Sequence, residues 1–267
     1  MLNGLINKHI FCGTIAVLFC FAAASCSKSS NSIQPEKETP EEDTQQKITF
    51  SKESGTFAGT ALPYRKALIN SGKEGQNILV LYLHGGSAKG NDNEKQIAEP
   101  GVTSVSEYLK NAGVKTVMIV PQCPSSGNWD GAAIQVAVKA LLDNVAAGSN
   151  VNSSRIYVLG GSMGGTGTWA LINAYPTFFA AAMPCAGNPS KCIAEKVSKT
   201  PVYAVMGTAD NIMSVETVQT FIAELNKLGG KTKLDVVSGW THEQTCKQSY
   251  TSARLQWLFS QTRTVLQ

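Results

Sequence analysis

The chain has 267 residues, 43% hydrophobic and 16% charged, with a net charge of +4. That is enough apolar material for one substantial core, and a single α/β domain of this length is common. No basic stripe interleaved with aromatics runs through it, so nucleic acid is not an expected partner. Three histidines, and cysteines without zinc-type spacing, give no expectation of a metal or other cofactor.

The N-terminus reads as a targeting segment. Lys8 precedes the apolar run Ile10 to Ala24, which ends in small residues before Cys26. The run is too short to span a membrane and has the layout of a secretory signal over residues 1–25. Ala23-Ala24-Ser25-Cys26 resembles the lipobox of bacterial lipoproteins, with Ala23 where leucine is usual. Cys26 is therefore expected to carry a lipid anchor to the membrane, in the periplasm or at the outer membrane. Plain secretion after cleavage near Ser25 is the alternative. Residues 26–46, almost wholly Ser, Asn, Pro, Glu and Lys, cannot bury enough surface to fold and are expected to be a tether. The folded domain is expected over residues 47–267.

Ile48-Thr49-Phe50 and Tyr64 to Ile69 look like a pair of edge strands around glycine-containing turns. From Ile78 the pattern alternates strand and helix. Ile78 to Leu83 is a continuous apolar run, as a parallel strand buried on both faces requires. Val102 to Asn111 reads as helix, Thr116 to Val120 as strand, Ala132 to Ala147 as helix and Arg155 to Leu159 as strand. Met163 to Ala174 is helical and stops at Tyr175-Pro176. Strands follow at Ala180 to Met183 and Pro201 to Met206, a helix over Val215 to Leu228, a strand over Lys233 to Val237, and a closing helix over Tyr250 to Thr262. The alternation specifies an α/β protein, a doubly wound and mostly parallel sheet with helices on both faces. The stretch between Gly187 and Thr200 leaves little room for a lid.

The chemistry concentrates at strand ends. Tyr157 to Gly165 reads as a strand that ends in Gly-x-Ser-x-Gly and runs into a helix, which lifts the Ser162 hydroxyl clear on a sharp turn. Side chains at 160 and 164 would collide in so tight a turn. Such a pattern arises by chance about 0.2 times in a chain of this composition, so context must support it. A serine nucleophile needs a base. His9 lies in the leader and His84 directly follows a strand, which leaves His242. The carboxylate that orients the base lies between Ser and His in the chain order of α/β-hydrolases. Asp210, leaving the strand that ends at Met206, fits; Asp143 and Asp235 sit inside a helix and a strand.

The oxyanion of acyl transfer needs two donors. The expected pair is the N–H of Met163, at the helix start, and that of Gly86, in the loop Leu83-His84-Gly85-Gly86-Ser87. His84 is expected to brace that loop. Trp129 and Trp240 are candidate substrate-binding walls, with core packing the competing reading; Trp169 and Trp257 read as core. Export allows Cys123, Cys185, Cys192 and Cys246 to pair, with Cys185–Cys192 mildly favoured by proximity in sequence, or to stay free.

The loop Leu83 to Asn93 resembles the Leu-His-Gly-x-Gly-x-x-Gly-x-Asp-Asn segment of secreted bacterial carboxylesterase-like α/β-hydrolases. This group includes predicted peptidases, polyhydroxybutyrate-depolymerase-like esterases, and feruloyl and acetyl-xylan esterases. Pro121 to Pro124 with Trp129, Gly160 to Trp169 with Tyr175-Pro176, and Met206 to Asp210 are similar to further segments of that group. The resemblance covers roughly residues 60 to 260. It departs at Thr241, where the group often has glycine before the histidine, and at Ser87, where glycine is common. It implies an α/β-hydrolase fold and a serine esterase acting on a small-molecule or oligosaccharide ester. A prolyl-oligopeptidase-type peptidase usually carries a gating domain for which this chain has no room. A non-catalytic binding protein on a hydrolase fold would not be expected to keep Ser162, Asp210 and His242 together.

Overall fold

From Ile78 onward each strand-like apolar run becomes a strand of one sheet. The computed structural model describes residues 47–264; the signal segment, the tether and Cys26 lie outside the described residues. The strands are β1 (Ser51–Phe57), β2 (Thr60–Ile69), β3 (Asn77–Leu83), β4 (Thr116–Pro121), β5 (Val151–Gly161), β6 (Ala181–Cys185), β7 (Val202–Gly207) and β8 (Thr232–Val237). Their order across the sheet is β1-β2-β4-β3-β5-β6-β7-β8, and every pair from β4 to β8 is parallel. Only the N-terminal hairpin is antiparallel, β1 to β2 and β2 to β4.

Helices cover both faces because the side chains of a strand alternate between them. Leu79, Leu81 and Leu83 point into one core with α2 (Ala132–Gly148), α3 (Met163–Ala174) and α5 (Val215–Lys227). Ile78, Val80 and Tyr82 point into the other, with α1 (Pro100–Asn111) and α7 (Ser252–Phe259). Two short helices, α4 (Ala194–Val197) and α6 (His242–Gln248), complete the set. This is the α/β-hydrolase fold, and the C-terminal ends of its central strands open on one edge, where ligands of such sheets bind.

Three expectations need correction. The first strand runs over Ser51–Phe57 rather than Ile48 to Phe50. It is paired with β2 through a two-residue turn in which Ala58 and Gly59 both take positive φ, the geometry that matches strand twist in tight hairpins. The C-terminal helix is shorter, Ser252–Phe259, since Thr251 is its N-cap in extended backbone and Ser260 its C-cap; the separate helix α6 precedes it. The four cysteines at 123, 185, 192 and 246 are free. Cys185 belongs to the core on one face of the sheet and Cys192 packs against the core on the other, so proximity in sequence does not bring them together.

Among the described residues no helix is long and apolar enough to cross a membrane, and no group of His, Cys, Asp or Glu is placed to hold a metal.

Candidate active site

Ser162 sits where β5 turns into α3, with φ 58° and ψ −120°. Positive φ is costly for a non-glycine residue and persists only where the surroundings over-determine it. They do so here: a Cβ at Gly164 would run into the Leu83 carbonyl, and one at Gly160 into both Leu83 and Gly164. The Ser162 N–H is tied back to the Cys185 carbonyl at 3.0 Å.

The structure brings Ser162, Asp210 and His242 together. Ser162 Oγ lies 2.7 Å from His242 Nε2, and His242 Nδ1 lies 2.9 Å from Asp210 Oδ2. A carboxylate can only accept, so Nδ1 carries the proton and Nε2 offers its lone pair to the serine hydroxyl. The Asp210 side chain is fully buried, and that of His242 is 14% exposed. The other oxygen of Asp210 accepts the Ile212 and Met213 N–H groups, each at 2.9 Å. A buried carboxylate so bonded is held in one orientation.

The loops that carry Asp210 and His242 are joined through their backbones. The Thr208 N–H donates to the Val237 carbonyl and the Ala209 N–H to that of Trp240. Thr241 then caps α6: its side chain accepts the Gln244 N–H while the Gln244 side chain accepts the Thr241 N–H. Threonine in place of the glycine common before this histidine thus starts a helix, with His242 as its first residue.

Gly86 lines the same cleft as Ser162, and Met163 directly follows Ser162 in the chain. Met163 opens α3, and Gly86 opens a single 3-10 turn at the cleft with empty space where a Cβ would be. Neither N–H has a protein acceptor among the described residues. The loop that carries Gly86 is braced from behind. His84 is fully buried, its Nδ1–H donates to the Gly85 carbonyl at 2.6 Å, and its Nε2 accepts the Cys123 N–H at 2.9 Å. Burial pushes the His84 imidazole down to about 4, so it is neutral at physiological pH. Asn93 anchors the loop to the hairpin by donating to the Glu53 and Tyr64 carbonyls, and Gln122 accepts the Asn93 N–H.

The cleft above Ser162 encloses about 500 Å3 and holds no tryptophan. Trp129 is not a wall of it. The side chain is 1% exposed in the core, lies edge-on to His84 and donates its indole N–H to the His84 carbonyl at 2.9 Å. Trp240 is half-buried against the second core with the Arg254 guanidinium over its ring, and it too lies outside the cleft lining. Beside Ser162, His242 and the loop of Gly86, the lining includes Glu99 and Ile212, which sequence reasoning passed over, and Cys246, which it weighed only for pairing. Ile212 is 64% exposed, a large apolar side chain presented by the turn that Asp210 holds. Cys246 lies one turn beyond His242, and burial pushes its thiol up to about 12. Pro100 marks a helix start with Glu99 just ahead of it, but nothing in the sequence places that carboxylate at the cleft.

The model of the dienelactone hydrolase family matches residues 125–258, a segment that contains Ser162, Asp210 and His242 but not the loop of Gly86. Over 63 residues the chain is 38% identical to poly(3-hydroxyalkanoate) depolymerase C of Paucimonas lemoignei, covering 24% of this chain and 15% of that one. Over 86 residues it is 30% identical to the bifunctional acetylxylan esterase/xylanase XynS20E of Neocallimastix patriciarum, covering 32% of this chain and 13% of that one. The chain therefore spans less than a sixth of either relative. The crystal structure of a thermostable esterase superposes with a TM-score of 0.73 at 26% identity, over 80% of this chain and 63% of the other.

Proposed function

The chain belongs to the dienelactone hydrolase family, and from that premise we propose that it is a carboxylic-ester hydrolase with Ser162 as nucleophile, His242 as base and Asp210 as its orienting carboxylate. The observation that carries the reading is the unbroken relay from Ser162 Oγ through His242 to Asp210, with contacts of 2.7 and 2.9 Å. His242 Nε2 takes the hydroxyl proton as Oγ attacks the ester carbonyl. The negative oxygen of the tetrahedral intermediate is received by the Gly86 and Met163 N–H groups, each such donor contributing about 2.7–4 kcal/mol of transition-state stabilisation. His242 then gives its proton to the departing alcohol, and water repeats the sequence on the acyl-enzyme.

Acylated polysaccharide or its fragments is the proposed substrate class, supported by the acetylxylan esterase relative. An exported protein held at the cell envelope through Cys26 would meet such material; mass spectrometry of the mature N-terminus tests the anchor, and an unmodified start at Ser27 or later refutes it. The activity is tested with nitrophenyl esters and with acetylated and feruloylated oligosaccharides beside peptide amides. Ester turnover that disappears in Ser162→Ala is the expected result. No ester turnover by the purified protein, or full turnover by Ser162→Ala, refutes the reading.

A further inference from the structure

Glu99 stands at the N-cap position of α1, followed by Pro100, yet its side chain makes no capping bond to its own helix. An acidic group at a helix start ordinarily serves the free amides there. This one turns instead toward the loop of Gly85, at the edge of the cleft. Its Oε1 accepts the Gly85 N–H at 2.5 Å, and its Oε2 accepts the Tyr82 hydroxyl at 3.3 Å. The Tyr82 ring is buried and lies against that of Tyr250, so the carboxylate is fixed from the core side as well. The absence of a side chain at Gly85 lets it approach, since a Cβ there would stand 3.2 Å from Glu99 Oε1 and 3.8 Å from Ser162 Cβ.

The peptide so held is the one immediately before the Gly86 N–H. We propose that Glu99 is a positioning residue for the oxyanion-binding loop: by fixing the Gly85 amide it sets the direction in which the Gly86 N–H faces a carbonyl above Ser162. His84 and Trp129 hold the core side of this loop, and Glu99 is the group that holds it from the cleft side. Burial pushes its carboxyl up to about 6, against the opposing pull of the Gly85 and Tyr82 hydrogen bonds, a sign of a group kept in place for contacts rather than for hydration. The inference rests on the reading of Ser162 as nucleophile and Gly86 as donor.

The test compares Glu99→Ala, which removes the acceptor, with Glu99→Gln, whose amide oxygen still accepts the Gly85 N–H. Both are assayed on nitrophenyl acetate and titrated with a trifluoromethyl ketone, whose adduct oxygen occupies the oxyanion position. Glu99→Ala is expected to lower kcat about 10- to 100-fold with KM within about twofold, short of the full loss of a donor. Its affinity for the ketone should fall by the same factor. Glu99→Gln should recover kcat to within about fivefold of the wild type. Glu99→Met, of similar volume and without an acceptor, takes the place of the alanine variant if that does not fold. Undiminished kcat in the variants lacking an acceptor, equal loss in Glu99→Gln, or lost kcat with unchanged ketone affinity overturns the proposal. Absence of ester turnover by the wild type overturns the underlying reading instead, so the two failures are distinct.

Discussion

Glu99 and His84 flank the same loop and titrate in opposite senses, which makes Glu99→Gln informative about stability as well. Burial raises the Glu99 carboxyl from an ordinary 4.5 to about 6. The native state therefore holds this proton more tightly than the unfolded chain does. The stabilisation is fully present below about pH 4.5 and is lost as pH rises through about 6. Burial lowers the His84 imidazole from an ordinary 6.5 to about 4, so the unfolded chain takes up its proton first. That stability is present above about pH 6.5 and is lost as pH falls through about 4. Each group alone gives a slope of about 1.36 kcal/mol per pH unit, and between about pH 4.5 and 6 the two slopes oppose each other. Glu99→Gln removes one of them. With some allowance for the partial exposure of Glu99, the variant is expected to gain about 1–2 kcal/mol on the wild type between pH 4.5 and 7. That corresponds to roughly 2–8 °C in Tm for a domain of this size. Thermal midpoints at half-unit steps of pH supply the measurement, and the difference between the two proteins cancels the groups they share. A difference that does not change with pH, or that grows toward acid, would refute the reasoning.

Three further outcomes are expected. Asp210→Asn leaves the fold intact but presents the wrong histidine tautomer to Ser162, so steady-state kinetics should show kcat lower by about 10⁴-fold. Trp129→Phe keeps the ring in the core and strands the His84 carbonyl, which should cost about 1–3 kcal/mol in urea unfolding and lower kcat through the loop of Gly86. Thr241→Ala removes the cap of α6 and should cost about 1 kcal/mol, read as faster hydrogen exchange over residues 242–248 together with reduced kcat.

The sheet was legible because its central strands are buried on both faces and must be apolar throughout; Ile78 to Leu83 and Val202 to Met206 admit few other readings. Ser162, Asp210 and His242 were legible because glycines mark the elbow and few histidines were left to choose from. β1 was not: in Ser-Lys-Glu-Ser-Gly-Thr-Phe no residue is fully buried, since an edge strand leaves one side to water. Helix α6 has no apolar stripe across seven residues, and only the Thr241–Gln244 capping pair announces it. Trp129 shows a different limit. An aromatic residue near a site in sequence says nothing of the direction in which its ring points, and here the indole N–H finds its acceptor inside the core. The role of Glu99 depends on a side chain leaving its own helix, for which sequence carries no signal.

The hairpin that edges the sheet also makes the two ends of the domain unequal as handles. Asn93, in the loop of Gly86, is bonded to Glu53 and Tyr64, and Arg65 bonds back to the Asn93 carbonyl. A load or a bulky fusion partner applied just ahead of residue 47 is expected to act on β1 and, through these bonds, on the loop of Gly86. At the other end Arg263 is clamped to Ser153, Ser154 and Thr177, where β5 begins and far along that strand from Ser162. Attachment to a bead, a fibre or a display scaffold is thus expected to disturb turnover least when made behind Arg263.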